Sequence, residues 1–366
     1  HKTLFFGKNI PGDTILQCTI PLLNGPLTTV STPFAHELRH DPLQKGIFTD
    51  HLQKVFSMNP PIGIENGMFG EPVPSFSRKA IKNAVTGETD DLLSEKNVLR
   101  NKMLDEIKTL KTDPRVRGSL SITGRNSKTP VFFMSGRLDF MQKGFDVIFN
   151  AFEKLPPGSA KLLFCPSSTH TDTRELAFFE KIAQKCDGDI IIMPFRLSRG
   201  QYNAFLQGAS YLLMPSFYEP FGAATEGMMN GTPVVARGTG GLWIQVNPHD
   251  GMYVPSFYGS MLDLDKRSDF PTGFLYREDY PDAAAQRNWR EVIDLEPSKR
   301  LKNPLYTAMV DSAFNALKMA ITAFGTKQYY GQMICNGLDS VNQFTWQRAV
   351  GKYKKIYDAV CFRGSL

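Results

Sequence analysis

Short apolar runs alternate with helix-length segments through the second half of the chain. Runs of strand length occupy residues 131–134, 161–165, 190–193 and 211–214, and another begins at Pro233-Val234-Val235. Segments with helical character lie between them, at residues 145–155, 173–186, 199–208 and 223–230. Strands and helices that alternate at this spacing are typical of a parallel, doubly wound sheet. The pattern therefore predicts an α/β protein with a Rossmann-like domain over residues 131–303.

The pattern outside this domain is less regular. Residues 1–76 contain short strands, too few for a complete sheet, and we expect them to be the remnant of a first α/β domain. Residues 77–130 are highly charged, and we predict a connector with a long helix at about 92–110 and a polar loop at 118–130. Residues 304–366 are predicted to form C-terminal helices, the last of which packs back toward the N-terminal domain.

One helix start can be placed in the N-terminal part. Residues 26–31 predict a short strand, after which Thr32 is expected to cap a helix that has Pro33 at its first position. A second strand is predicted at residues 62–67, where it runs into a tight turn. The chain begins at His1 rather than Met, so we expect it to be a piece of a longer protein.

Composition narrows the class of protein. The chain has 366 residues, of which 42% are hydrophobic and 21% charged, and these values are typical of globular proteins. No apolar run approaches the roughly 20 residues of a membrane span, so no membrane span is expected. The net charge of +6 and the pI near 8.9 suit a phosphate-bearing small ligand as well as a mildly basic surface. Lys and Arg form no long run, so no nucleic acid partner is expected.

The five cysteines are scattered along the chain and include no CxxC pair. This spacing argues against a disulfide framework or a zinc site and indicates a reducing compartment. We therefore expect a cytoplasmic protein.

The loop after the first strand of the domain is the first candidate for chemistry. Gly136 lets a ligand approach the backbone, and the helix that follows offers free N–H groups at its start. Arg137 and Lys143 bracket the loop, so the two cations could clamp a diphosphate. The alternative is a pair of exposed cations on either side of an ordinary turn.

Glu219 is the second candidate, because it follows the strand at 211–214 and so lies at the edge where open parallel sheets bind ligands. A carboxylate there, followed by the accessible backbone donors of Phe221 and Gly222, suits a ligand rich in hydroxyl groups. The alternative is an acid that interacts with a helix N-terminus. Glu226 lies two helical turns further on, and it either reaches the same ligand or is a solvated helix carboxylate.

The turn Thr239-Gly240-Gly241 is the third candidate, because a turn at a strand end can present backbone N–H groups to phosphate. An ordinary connector is the alternative. Phe195 follows the strand at 190–193 and could stack on a base, whereas a core aromatic is the alternative there.

Taken in this order, the segments resemble motifs of the bacterial glycogen synthases and plant starch synthases and, more broadly, of the retaining glycosyltransferases of the GT-B fold. The resemblance runs from about residue 26 to the end of the chain. It is carried by residues 29–31, 63–67, 135–144, 215–222, 237–242, 272–276 and 344–357. Residues 1–7 are similar to a family segment whose histidine lines the active site, which adds His1 to the candidates. The family's N-terminal Gly-rich loop is not in the sequence, so the resemblance implies a GT-B-like fold with a partial first domain.

The resemblance also implies roles for the candidate residues. Arg137 and Lys143 would hold the donor diphosphate and neutralise the leaving group. Glu219 would hold the hydroxyl groups of the donor sugar, and the turn at 239–241 would contact the distal phosphate. No metal or other cofactor is implied, because the two cations do the work of a metal. Many relatives carry two glutamates eight residues apart, whereas Glu226 is seven residues from Glu219.

The leading hypothesis is a retaining hexosyltransferase similar to glycogen and starch synthases. It would transfer a hexose, with glucose favoured, from a nucleotide-sugar donor to a glycan or another hydroxyl acceptor. ADP-glucose and UDP-glucose follow from the family as donors, and GDP-mannose stays open. Two alternatives are a hydrolase that cleaves the nucleotide sugar at the same site and a non-catalytic module that binds it.

Overall fold

The computed structural model describes residues 19–22, 25–68, 75–122, 128–167, 174–249, 252–262, 267 and 269–363. His1, the N-terminal candidate for the site, lies outside the described residues. The positions of the other candidate residues can be compared with the predictions above.

A mostly parallel sheet forms the centre of the described chain. The strands are β1 (Thr28–Thr29), β2 (Ile62–Gly63), β3 (Arg117–Gly118), β4 (Val131–Arg137), β5 (Lys161–Ser167), β6 (Ile190–Ile192), β7 (Tyr211–Met214), β8 (Val234–Arg237) and β9 (Gly273–Tyr276). Seven of them form one sheet in the order β3-β6-β5-β4-β7-β8-β9, in which only β3 runs antiparallel to its neighbour. β1 and β2 form a separate parallel pair. The α/β class that the sequence predicts is confirmed.

Helices cover the sheet and extend the chain at both ends. The α-helices are α1 (Thr32–His40), α2 (Gln53–Met58), α3 (Arg78–Val85), α4 (Asp90–Leu110), α5 (Phe145–Phe152), α6 (Arg174–Lys185), α7 (Arg199–Gly208), α8 (Ala224–Met229), α9 (Leu242–Gln245), α10 (Asp282–Asp294), α11 (Pro304–Gly325), α12 (Lys327–Ser340) and α13 (Trp346–Arg363). Short 3-10 helices occur at Ile20–Leu22, Asp50–Leu52, Ser256–Met261, Pro297–Lys302 and Val341–Gln343, and a π-helix at Gln44–Phe48. None of the helices in the described part of the chain is long and apolar enough to cross a membrane.

Two apolar clusters lie on opposite faces of the large sheet. In β4, Phe132 and Met134 belong to one cluster, whereas Val131 and Phe133 belong to the other. Successive side chains of a strand point to opposite faces, so the strand is buried on both sides and reads as a continuous apolar run. Buried side chains of α5, α11 and α12 complete the first cluster, and those of α4, α7 and α8 complete the second. The sheet is therefore doubly wound.

An aromatic cluster fixes α5 on the sheet. Phe149 of α5 lies 4.6 Å from Phe179 of α6 and 5.2 Å from Phe164 of β5, measured between ring centres. All three rings are fully buried, and each such burial contributes about 1.5–3 kcal/mol. The cluster holds α5, and with it the loop that ends at the start of this helix, in one position against β4.

Several details differ from the sequence-based predictions. Residues 117–118 form the edge strand β3, although a polar loop was expected to begin at 118, and α3 and α10 were not predicted. The cap of α1 is Ser31 rather than Thr32: Ser31 is extended, with φ of −162°, and its hydroxyl accepts from the N–H of Phe34 at 3.3 Å. Pro33 therefore occupies the second helical position, where its missing N–H has no effect on the helix.

Helix α4, predicted as part of a connector, is joined to the sheet domain by two buried cations. Lys96 Nζ donates to the carbonyl of Gln207 and to Thr232 Oγ1, both at 2.7 Å. Arg100 donates to the carbonyl of Thr129 at 2.7 Å. Burial lowers the pKa of Lys96 well below its usual range, and the two hydrogen bonds satisfy its polar head. These contacts give α4 a defined position against α7 and β8.

The C-terminal helix contacts the N-terminal part of the chain. Trp346 Nε1 donates to the carbonyl of Met68 at 2.9 Å, and Lys352 forms an ion pair with Glu65. A Cβ atom on Gly67 would lie 2.3 Å from the backbone nitrogen of Trp346. The segment after β2 is thus packed closely on the start of α13.

Candidate active site

Strand order places a crevice at the centre of the sheet. Along the chain β4 is followed by β5 and β6 on one side, whereas β7, β8 and β9 lie on the other side. The order therefore reverses between β4 and β7, and open α/β sheets bind ligands at such a point, outside the carboxyl ends of the strands. Residues 138–144 leave β4 there and residues 215–223 leave β7. These two loops and the strand end before them carry most of the residues that the sequence predicts for the site.

Backbone contacts hold the two loops together. The N–H of Phe217 donates to the carbonyl of Gln142 at 2.7 Å. Gly144 ends the first loop with a left-handed φ of 57°, and a Cβ atom there would lie 2.3 Å from the carbonyl oxygen of Pro215. Glycine satisfies both conditions, because it adopts positive φ readily and has no Cβ. The close packing gives the two loops one relative position.

Lys143 and Glu219 form an ion pair between the two loops. Lys143 Nζ lies 2.7 Å from Glu219 Oε2, and the Ser216 hydroxyl donates to the same oxygen at 2.9 Å. The side chains are only 19% and 10% exposed, so water reaches the pair from few directions. The structure thus brings into contact two residues for which the sequence predicts different partners, phosphate for Lys143 and sugar hydroxyl groups for Glu219.

Arg137 supplies a second cation from the same loop. It is the exposed last residue of β4, and its guanidinium donates to Gln142 Oε1 at 3.0 Å. The preceding Gly136 has φ of 152°, a conformation that favours glycine. Because Arg137 and Lys143 stand at the two ends of one loop, a diphosphate at the crevice could contact both.

The backbone after Glu219 offers hydrogen-bond donors. The N–H groups of Phe221 and Gly222 have no acceptor among the residues that the structure describes. Gly222 is left-handed, with φ of 90°, and its carbonyl accepts from Gln245 Nε2 at 3.1 Å. The Phe221 ring is buried against Phe344, with 5.9 Å between ring centres. Two backbone donors are therefore fixed beside a carboxylate acceptor, a combination that suits hydroxyl groups.

The turn at Thr239-Gly240-Gly241 is buried, and its donors have protein partners. The N–H of Gly240 donates to Glu37 Oε1 at 2.6 Å, and the Thr239 hydroxyl donates to the same carboxylate at 3.2 Å. The N–H of Gly241 donates to the carbonyl of Glu219 at 2.9 Å. The resemblance implies contacts from this turn to phosphate. In the structure these donors bind instead to Glu37 and to the backbone of the loop at residues 215–223, called the Glu219 loop below.

Replacing Gly240 with Ala should destabilise the protein by about 3 kcal/mol or more. Gly240 has φ of 48°, and a Cβ atom there would lie 1.9 Å from the carbonyl oxygen of Glu219. The matched control is Gly158→Ala, since Gly158 is also left-handed, with φ of 77°, but has open space around it; its cost should be about 1–2 kcal/mol. Urea unfolding measures both. Equal losses in the two variants would show that the turn does not press on the Glu219 loop.

Glu226 is held by a different element from Glu219. Its carboxylate accepts from the hydroxyl of Tyr202 on α7 at 3.4 Å, and the ring of Tyr202 packs on Phe133 of β4. Burial raises the pKa of Glu226, and the hydrogen bond from Tyr202 lowers it in part. The sequence leaves open whether Glu226 reaches the same ligand as Glu219 or is a solvated helix carboxylate. In the structure Glu219 is bound by Lys143 of the loop after β4, and Glu226 by Tyr202 of α7, which follows β6.

A buried ionic network beneath the crevice was not foreseen from the sequence. Arg237 donates to Glu278 Oε2 at 2.8 Å and to the carbonyl of Phe217 at 2.6 Å. Arg277 lies 3.3 Å from Glu278 and donates to Asp41 Oδ2 at 2.7 Å. All four charged side chains are at most 5% exposed. The network connects the ends of β8 and β9 to the loop after β7 and to the end of α1; the only signal in the sequence is that the arginines fall at strand ends.

Phe195, a candidate for stacking on a base, has a partner on one face. The guanidinium of Arg115 lies 4.5 Å from its ring centre, and Arg115 also pairs with Asp113 at 2.7 Å.

Among the described residues, no three His, Cys, Asp or Glu side chains are grouped closely enough to hold a metal ion.

The mostly parallel sheet with its crevice at the switch point defines a doubly wound α/β protein, and its fold is similar to that of a GT-B glycosyltransferase structure. The chain superposes on the catalytic domain of starch synthase IV from Arabidopsis thaliana, solved bound to ADP and acarbose, with a TM-score of 0.63 and 19% sequence identity. The match covers 94% of this chain and 57% of that chain. At this identity the likeness concerns the fold.

Sequence comparison then finds a family match and several relatives. Residues 119–257 match the model of the family described as glycosyl transferases group 1. The trehalose synthase of Thermococcus litoralis is 31% identical over 164 residues, which is 43% of this chain and 37% of the relative. The D-inositol 3-phosphate glycosyltransferase of Xylanimonas cellulosilytica is 30% identical over 151 residues, 38% of this chain and 35% of the relative. The chain thus spans little more than a third of the curated relatives it matches.

Proposed function

We propose that the protein transfers a hexose, with glucose the favoured sugar, from a nucleotide-sugar donor to a hydroxyl acceptor. The observation that carries this proposal is the Lys143–Glu219 ion pair at the switch point of the sheet, 2.7 Å apart and flanked by Arg137. A cation can bind phosphate, and a carboxylate beside it can accept hydrogen bonds from sugar hydroxyl groups. The contact between them therefore suits a ligand in which a phosphate is joined directly to a sugar. The name of the matched family supports the transfer of a sugar, and the starch synthase IV structure with a similar fold was solved bound to ADP.

The chemistry follows from charge. As the bond between the anomeric carbon and the phosphate oxygen breaks, its electron pair stays on the diphosphate, and negative charge develops there. Arg137 and Lys143 would stabilise this charge, and the stabilisation by Lys143 would be the more effective because its side chain is largely shielded from water. In this proposal the two cations neutralise the leaving group without a metal ion.

The sugar would be oriented by the loop after β7. Glu219 accepts hydrogen bonds, and the N–H groups of Phe221 and Gly222 donate them, so together they match hydroxyl groups that both donate and accept. The donor phosphate would compete with Glu219 for Lys143 and leave the carboxylate to the sugar. Retention of the anomeric configuration is part of the proposal and comes from the resemblance to retaining GT-B enzymes.

A screen of nucleotide sugars tests the proposal. ADP-glucose, UDP-glucose and GDP-mannose, with ADP, UDP and GDP, would be titrated into the protein by calorimetry. Release of the nucleoside diphosphate would then be measured with and without glucose or malto-oligosaccharide as acceptor. We expect one donor to bind more tightly than the other two and to release its diphosphate only when an acceptor is present.

The same screen distinguishes the alternatives. Release of sugar without an acceptor indicates a nucleotide-sugar hydrolase, and binding without any turnover in the full-length protein indicates a non-catalytic module. If none of the nucleotide sugars or diphosphates binds, the assignment of Arg137 and Lys143 to a diphosphate is wrong.

The proposed location of the protein is the cytoplasm. Cys165 and Cys335 are buried free thiols, the form in which cysteines are kept in a reducing compartment. Fractionation of cells that produce the protein would test this location.

A further inference from the structure

Glu37 is a buried carboxylate that none of the steps above uses. It lies on α1, is 0% exposed, and accepts from the N–H of Gly240 at 2.6 Å and from the hydroxyls of Thr239 and Tyr258. The guanidinium of Arg277, whose charge acts on Glu37, bonds to Asp41 instead. A fully buried acid is costly unless its oxygens are satisfied, and Glu37 meets this requirement with donors from the turn after β8 and from the Ser256–Met261 helix.

The turn that Glu37 holds is in contact with the Glu219 loop. The N–H of Gly241 donates to the carbonyl of Glu219, and a Cβ atom on Gly240 would lie 1.9 Å from the oxygen of that carbonyl. Ser31, which caps α1, donates to the next carbonyl, that of Pro220, at 2.5 Å. Helix α1 therefore holds the backbone of the Glu219 loop in two ways. At the start of the helix Ser31 binds the loop directly, and at the centre of the helix Glu37 acts through the buried turn.

We propose that Glu37 is a positioning residue for the transfer reaction: it fixes the turn at Thr239-Gly240 and, through that turn, the Glu219 loop that orients the donor sugar. This role rests on the transfer reaction proposed above. Glu37 itself does not touch the reacting atoms. Loss of its carboxylate should leave the fold intact but allow the Glu219 loop to move, and small displacements of an orienting group lower turnover strongly.

The surroundings of Glu37 make the contact dependent on pH. Burial, and then the charge of Asp41, raise the pKa of Glu37 to about 7, against the opposing effects of Arg277 and of the hydrogen bonds from Tyr258 and Gly240. The titratable and charged groups that act on it are Asp41 next to α1, Tyr258 on the facing 3-10 helix and Arg277 after β9. Beyond them, His36 stacks on Tyr258 and on His40, and Glu278 pairs with Arg277. Ionised Glu37 accepts from all three donors, whereas the protonated acid carries a proton of its own and holds the turn less firmly. Turnover should therefore rise as pH increases through about 7.

The test compares Glu37→Gln, Glu37→Ala and the control Asp189→Asn with wild type. Asp189 is a shielded carboxylate that pairs with Lys161 at 2.5 Å at the amino end of β6, away from the crevice. Glu37→Gln keeps the shape of the protonated acid. With the donor found in the screen, we expect its kcat at pH 8 to fall about tenfold, with donor KM changed less than about twofold, and the rise through pH 7 to disappear. Asp189→Asn should keep the wild-type pH profile.

Two outcomes would overturn the role of Glu37. One is a Glu37→Gln variant with the kcat and the pH profile of wild type. The other is unchanged amide hydrogen exchange of residues 238–242 in Glu37→Ala. If Glu37 holds the turn, this exchange should become at least about tenfold faster in Glu37→Ala but not in Asp189→Asn. The exchange measurement does not require activity, so it still decides whether Glu37 holds the turn if wild type transfers no sugar and the proposed function fails.

Discussion

Replacing Lys143 with Met is expected to lower kcat/KM for the nucleotide-sugar donor by about 10²–10³-fold. The methionine keeps the length of the side chain but removes the charge that would meet the leaving phosphate. It also leaves the Glu219 carboxylate with the Ser216 hydroxyl as its remaining side-chain partner. Steady-state kinetics measures the loss, and calorimetry with the nucleoside diphosphate shows how much of it is binding. Arg137→Ala should have a similar effect on the same two measurements.

Lys154→Met is the matched control for this experiment. Lys154 follows α5 and pairs with Asp311 at 2.6 Å, but both side chains are at least 40% exposed, and such surface pairs contribute about 0–1 kcal/mol. The control should keep full activity and nearly full stability. Wild-type turnover in both Lys143→Met and Arg137→Ala would remove the electrostatic basis of the proposed reaction.

Replacing Glu278 with Ala is expected to destabilise the protein by about 3–5 kcal/mol. The change removes the carboxylate that pairs with both buried arginines, so Arg237 loses its ion pair and Arg277 keeps the one with Asp41. An uncompensated buried charge costs far more than the ion pair itself contributes. Urea unfolding at pH 7 measures the effect, and Asp311→Ala, which breaks only a surface pair, should cost less than about 1 kcal/mol.

The effect of Glu278 should depend on pH in a defined direction. Burial alone would raise the pKa of Glu278, but Arg237 and Arg277 outweigh burial, and the pKa lies below its ordinary value of 4.5. A carboxyl group with a lowered pKa stabilises the fold fully above its ordinary pKa and loses this contribution as pH falls. The difference in unfolding free energy between wild type and Glu278→Ala should therefore be constant near neutral pH and shrink below about pH 4.5. A difference that grows on acidification would contradict this assignment.

Local sequence signals were sufficient to predict the five central strands of the sheet, β4 to β8, and the two loops at its centre. The apolar runs at 131–134 and 211–214 correspond to β4 and β7, because strands buried on both faces consist of consecutive apolar residues. Lys143 and Glu219 could be selected because each lies in a loop directly after such a strand. Their direct contact at 2.7 Å could not be predicted, since it depends on how the two loops pack.

The polar interior was much less predictable. Glu37 reads as one polar position on a short helix, and the residue that it holds, Gly240, lies 203 positions further along the chain. Arg277 and Asp41 are likewise separated by 236 positions. Neither the composition nor the periodicity of a segment contains such pairings, because they arise only when α1 is laid against the ends of β8 and β9. The roles predicted for Thr239 and Gly240 overlooked Glu37 for this reason.

The three polar contacts of α1 have a practical consequence for where the chain can be divided. A shortened protein that begins at residue 77 would keep all seven strands of the large sheet. It would also lose three side chains that bind the loops: Ser31, which donates to the carbonyl of Pro220, Glu37, which accepts from the N–H of Gly240, and Asp41, which pairs with Arg277. The loops would then lose their outer support on the side where the donor is proposed to bind. For expression and crystallisation, residues 25–68 therefore belong with the sheet, although in sequence they read as the remainder of another domain.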